Sequence, residues 1–292
     1  MIVIRLKGGM GNQMFQYAFG KRMANVLNTE LQLDLSALLD RSKEGIVFRD
    51  FDLDIFALKP QFTLSPTLIR TLYKSKSSAI AKRIKRRAES GKAYIKEAHF
   101  HVMEEVLQHP MNHALYDGWW QSERYFVDAA DTIRTEFQFK DSVLSTAENL
   151  LAQIQSTNSV CLNVRRTDFL TNDTLNTTNL DYFKKASQYM IQKLEHPHFY
   201  VFSDDMEWCE QHINIEGHQV TYVQHSMKGK KFGNYLQLMK NCKHFIIPNS
   251  SFAWWATWLN ENPQKIVIAP KMWFTDPKYD TTDLVPSDWV RM

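Results

Sequence analysis

The 292-residue chain carries 44% apolar and 23% charged residues and a formal net charge of +3, the profile of one large or two medium globular domains with a sizeable core. So small a charge gives no ground for nucleic-acid binding, and no stretch approaches the ~20 apolar residues of a membrane span. Three cysteines without metal-type spacing read as reduced, buried thiols.

The opening, MIVIRLKGGMGNQ, has too short an apolar run for a signal peptide. The expectation is a cytoplasmic chain, at most peripheral at the inner face of the plasma membrane. Ile2–Lys7 reads as a strand and GGMGN (8–12) as a turn. Gln13–Leu27 reads as a helix, with Phe15, Phe19, Met23 and Val26 at helical spacing. ELQLDL (30–35) alternates like a strand, and a β–loop–α–β start predicts an α/β domain.

Between 35 and 145 the pattern is less regular. Residues 74–96 form a basic run with helical potential, either a solvated charged helix face or a surface for anionic lipid or a charged acceptor carrier. YDGWWQSERYF (116–126) interleaves aromatic rings with Gln121, Ser122, Glu123 and Arg124. Such rings suit a large core and a sugar-binding cleft equally.

From about 150, strand-like runs recur at Val160–Val164, Phe199–Phe202, Val220–Val223, Phe245–Ile247 and Ile266–Ala269. Helical stretches at Leu180–Leu194, Asn234–Lys240 and Phe252–Leu259 separate them. Alternating β and α predicts a mostly parallel sheet. The change of pattern places the expected domains at 1–145 and 146–292.

In open α/β sheets ligands sit beyond the carboxyl ends of the strands. Four polar groups follow apolar strands here: Gly8–Asn12, Arg165–Asp168, Ser203–Asp205 and Asn249–Ser251. Adjacent arginines suit a diphosphate, because each guanidinium forks two donors and stays charged. Asp168 offers one of them a salt bridge, and both readings can hold together. GGMGN is either a plain tight turn or an anion- or sugar-binding loop at a helix start; it fits neither the Walker nor the dinucleotide spacing. Asn249, Ser250 or Ser251 can cap a helix or receive phosphate. Ser203 or Asp204 can cap a helix, or a carboxylate here can read a base or ribose. A metal-binding carboxylate pair is the weaker reading, because the two acids are adjacent.

IRLKGGMGNQMFQYAFGKRMA, GWWQSERYF, VRRTDF, FYVFSDDMEWC and FIIPNSSFAWWATWL together resemble the ordered motifs of the bacterial α-1,2-fucosyltransferases of glycosyltransferase family 11. The resemblance implies an α/β, GT-B-like fold, two Rossmann-like domains facing a cleft, with the acceptor side N-terminal and the donor side C-terminal. It implies inverting transfer of L-fucose from GDP-β-L-fucose to the 2-OH of a galactose in lipopolysaccharide, capsule or a lactose-type glycan. GDP-fucose is then a co-substrate, with no cofactor and no metal. Arg165 would hold the diphosphate, with Arg166 and Asp168 ordering that strand end. Asp204 would read the guanine, and Ser250, Ser251 and Phe252 would line the nucleotide pocket. Gly9, Gly11, Asn12 and Gln13 would face the fucose and acceptor. Asn163 and Thr167 stand where the family pattern has His and Gly; Asn163 would still be a donor-binding residue, contacting the nucleotide through its backbone or amide, but without any imidazole role. Trp120 and Glu123 are the acceptor-side candidates. Asp168 or Glu123 could take the acceptor proton, or Asn12 could simply hydrogen-bond the acceptor. Alternatives from other classes are an O- or α-1,6-fucosyltransferase and a non-enzymatic nucleotide- or polyanion-binding protein.

Overall fold

The computed structural model describes residues 1–40, 49–65, 67, 90–143, 147–170 and 172–292, with the side chain of Asp168 outside that set. The chain divides into two units: Met1–Gln138 with Thr282–Leu284, and Phe139–Thr281 with Val285–Met292. Residues 74–89 of the basic run lie outside the described residues. Among the described residues no helix is long and apolar enough to cross a membrane.

The first unit holds a sheet of five strands: β1 (Ile2–Arg5), β2 (Leu31–Asp34), β3 (Gln61–Phe62), β4 (Ala93–Lys96) and β5 (Ala114–Asp117). Their order is β3-β2-β1-β5-β4, and every pairing is parallel. The helix Met10–Val26 follows β1 and buries Phe15 and Phe19. Phe19 stacks on Trp120 at 4.2 Å and meets Tyr116 and Tyr125 edge-on. One expectation is corrected here. Residues 93–96, the end of the basic run, form strand β4 and not a helix. Their alternating Tyr and Ile with one face covered is the strand period.

The second unit holds β6 (Asn158–Val164), β7 (Pro197–Ser203), β8 (Gln219–Tyr222), β9 (His244–Ile246), β10 (Val267–Ala269) and β11 (Val290–Arg291). The order is β11-β10-β9-β6-β7-β8, again wholly parallel. Counted from β6, this is the doubly wound order 3-2-1-4-5-6. Strands β6 and β7 are buried on both faces, so they read as continuous apolar runs. Leu162, Phe199, Val201, Ile246 and Met190 lie in one core cluster. All three cysteines are buried and free.

The aromatic content is mostly core. Trp120, Trp254, Trp255, Trp258, Trp273 and Trp289 are buried. Of the 8 Trp only Trp119 and Trp208 keep partial exposure.

Candidate functional site

Each parallel sheet reverses its winding at one point, and there a crevice opens beyond the strand ends. In the second unit the reversal lies between β6 and β9. Arg165 follows β6 and Asn249–Ser251 follows β9, so the sheet brings these two groups side by side.

The register explains how the arginines are held. Asn163 pairs with Phe202 and Val164 with Ser203; one step further sets Arg165 and Arg166 beside Asp204 and Asp205. Arg165 Nε lies 3.3 Å from Asp204 Oδ2, and its guanidinium also approaches the Phe169 ring at 5.6 Å. Arg166 is bound to protein: Nε donates to Asp205 at 3.0 Å and the guanidinium lies 3.8 Å from the Trp208 ring. Asp205 also caps the helix Met206–His212 by accepting from Trp208 N–H. Arg166 is thereby oriented by a carboxylate and an aromatic face together.

Asp204 carries most of the loop. Its Oδ1 accepts from the Arg166 amide at 2.9 Å, and its Oδ2 accepts from the amide and the hydroxyl of Thr167. Thr167 therefore supplies a bond that glycine could not. Both Asp204 oxygens are engaged within the protein, so this geometry favours an anchoring carboxylate over a base-reading one. Asp168, the expected partner of an arginine, has its side chain outside the described residues; the described partners are Asp204 and Asp205. Asn163 is buried, and its amide donates to Phe202 C=O at 3.0 Å, which makes it a strand-to-strand tie.

After β9, Ser250 caps the helix Ser251–Trp258 by accepting from Ala253 N–H. Ser251 and Phe252 open that helix and keep partial exposure. Asn249 is buried and donates to the carbonyls of Leu175 and Trp273, which docks two loops beside the crevice.

In the first unit the reversal lies between β1 and β5. Gly8 takes φ +78, and a β-carbon there would sit 2.5 Å from Asn12 Nδ2 and 3.0 Å from the Trp119 ring. Only glycine fits this position. Gly9 is the residue before the helix Met10–Val26, and Gly11 is buried in its first turn. Asn12 Oδ1 accepts from Gln121 Nε2 at 2.6 Å, which leaves its Nδ2 as the donor side. Gln13 has no exposure. Its amide ties Gly8 C=O to the backbone of Asp50 and Asp52, so it braces the loop instead of facing a ligand. Gln16, which sequence reasoning passed over, bonds both backbone groups of Lys7 and the carbonyl of Gly118. It locks the two strand ends together.

Trp120 is corrected as an acceptor-side candidate: its side chain is fully buried against Phe19. Glu123 lies partly exposed in a 3-10 turn, Glu123–Tyr125, capped by Ser122. Sequence reasoning missed Trp119 and Glu97. The Glu97 carboxylate accepts from Trp119 N–H at 2.6 Å and from Trp120 N–H at 3.0 Å. Burial pushes its pKa above the usual carboxylate value, against the opposing pull of those two donors, Lys7 and His99.

Two parallel sheets, each with polar residues gathered at its reversal point, make two Rossmann-like units, the α/β, GT-B-like fold class. The chain belongs to glycosyl transferase family 11, whose model matches residues 1–292. It is 31% identical to an alpha-1,2-colitosyltransferase of Escherichia coli over 100% of this chain and 99% of that one. It is 29% identical to the O-antigen biosynthesis glycosyltransferase WbnK of Escherichia coli, over 98% and 99%. Among solved structures, the fucosyltransferase NodZ from Bradyrhizobium superposes with a TM-score of 0.52 at 14% identity, covering 87% of this chain and 90% of that one.

Proposed function

We propose that this enzyme moves L-fucose from GDP-β-L-fucose to the 2-OH of a galactose in a surface or lactose-type glycan, with inversion. The observation that carries the reading is Arg165 at the β6–β9 reversal, beside the hydroxyl-bearing helix start Ser250–Ser251. A guanidinium fixed there meets diphosphate oxygens and stabilises the charge that grows on GDP as the glycosidic bond breaks. Arg166, with its own side chain held by Asp205 and Trp208, keeps that strand end in place. Asn12 and the glycine loop of the first unit serve the sugar and acceptor. The arginine supplies the cationic charge, so transfer continues in chelator.

The α-1,2 linkage is supported by the full-length similarity to an alpha-1,2-colitosyltransferase. The same similarity favours a second reading, in which the donor sugar is colitose. Colitose lacks the 3-hydroxyl of fucose. A site that hydrogen-bonds that hydroxyl rejects the deoxy sugar strongly, whereas a purely apolar one cannot.

The test is product linkage analysis after incubating the protein with GDP-fucose or GDP-colitose and a panel of galactosides and peptide acceptors, with and without chelator. An α-1,2-fucosyl galactoside in both conditions is expected. Exclusive use of GDP-colitose supports the second reading, and transfer only to peptide or to a 6-OH overturns both.

A further inference from the structure

Trp119 is one of two tryptophans left partly exposed in a chain that buries the other six, and three features fix it beside the glycine loop. The first is Glu97, directly after β4. Its two carboxylate oxygens each take one backbone N–H of the turn, that of Trp119 on Oε2 and that of Trp120 on Oε1. Within this turn Trp120 adopts φ +54, which sends its ring into the core while its neighbour stays at the crevice. A β-carbon on Gly118 would lie 2.6 Å from the Glu97 Cβ and 2.6 Å from the Trp120 ring, so the turn sits tightly against Glu97. The second feature is Lys7. Its ammonium lies 4.7 Å from the Trp119 ring centre and is itself held by Asp117 at 2.9 Å. The third is Gly8, whose missing side chain leaves room for both the indole edge and the Asn12 amide.

An indole held this way has little freedom left to lose on binding. One ring of a galactoside offers a patch of C–H groups on the face away from its axial hydroxyl, and such a patch packs on an electron-rich indole. The Glu97 carboxylate, partly buried, commits both of its oxygens to two amides of the turn. The result is a defined orientation for the residue whose amide it takes.

We propose that Trp119 is the platform on which the acceptor's sugar ring stacks, and that Glu97 is the positioning residue that sets the platform's angle beside Asn12. The proposal rests on the transferase reading above and adds the part of the molecule that selects the acceptor. Glu97 acts through the turn and does not touch the substrate.

The experiment compares wild type with Trp119→Ala, Trp119→Phe, Glu97→Ala and Trp119→Ala/Glu97→Ala. Acceptor KM, kcat and the calorimetric Kd for GDP are measured for each. Trp119→Ala is expected to raise acceptor KM about tenfold, the scale of one lost stacking contact, with GDP affinity unchanged. Trp119→Phe keeps a ring and recovers most of that loss. Glu97→Ala raises acceptor KM in the same direction, and the double variant is no worse than Trp119→Ala alone, because both changes remove one interaction. Galactoside quenches tryptophan fluorescence in wild type and not in Trp119→Phe. An unchanged acceptor KM in Trp119→Ala, with GDP binding intact, overturns the proposal, as does full additivity of the double variant. If transfer proceeds only to an acceptor without galactose, the galactoside assignment fails. The same KM comparison on that acceptor still decides the role of Trp119.

Discussion

Arg165 and Asp204 meet through one oxygen: Arg165 Nε lies 3.3 Å from Asp204 Oδ2, which also accepts from Thr167. The acid thus organises the loop that presents the arginine. Asp204→Ala strands the amides of Arg166 and Thr167 without their acceptor. Arg166 is partly exposed and Thr167 exposed, so water can replace the lost acceptor and a loss of only about 1 kcal/mol is expected, read by urea unfolding. If Asp204 is an anchor, Asp204→Asn weakens GDP, ADP and UDP alike. Loss of preference for GDP alone, measured by calorimetry with the three nucleotides, would assign it to the guanine instead.

Arg165→Ala removes the charge placed for the leaving diphosphate. Transfer at saturating GDP-fucose should fall by roughly 10²-fold or more, the scale of one lost transition-state donor. Arg165→Lys restores charge without the two-pronged geometry and recovers only part of the rate. A steady-state assay with radiolabelled donor settles both.

The adjacent tryptophans separate stability from binding. Trp120 has no exposure and stacks on Phe19, so Trp120→Ala leaves a large cavity in the first unit. The expected cost is about 3–5 kcal/mol, read as an early thermal transition. Trp119, partly exposed, should show a small shift by the same measurement.

Acid should destabilise the second unit. Ile266 N–H donates to His244 Nδ1 at 3.1 Å, which requires that nitrogen to be unprotonated. Burial, then the charge of Lys243, holds the His244 pKa below 6.5, and burial does the same for His198. The unfolded chain therefore takes up protons first as pH falls through 6.5, and stability is lost progressively below that point while remaining intact above it. Urea midpoints at pH 7.5, 6.0 and 5.0 measure the slope, and His244→Asn should reduce it.

The legible parts of the sequence share a physical cause. Residues 160–164 and 199–202 lie on strands buried on both faces, so their apolar runs stand out against polar strand ends. The arginine pair was visible for the same reason. Its partners were not, because Asp204 and Asp205 reach Arg165 and Arg166 only through the β6–β7 register, which sequence spacing does not encode. Strands β4 and β5 were missed. Each is four residues long, and β4 closes a basic run while β5 leads straight into the aromatic turn. No periodicity distinguishes Trp119 from Trp120. The turn held by Glu97, with Trp120 at φ +54, decides which ring enters the core.

The most direct test is a crystal structure with GDP bound. The account predicts the Arg165 guanidinium within hydrogen-bonding distance of the diphosphate, at the β6–β9 reversal, with Ser250 and Ser251 alongside. A diphosphate bound elsewhere, with Arg165 engaged only by Asp204, would contradict it.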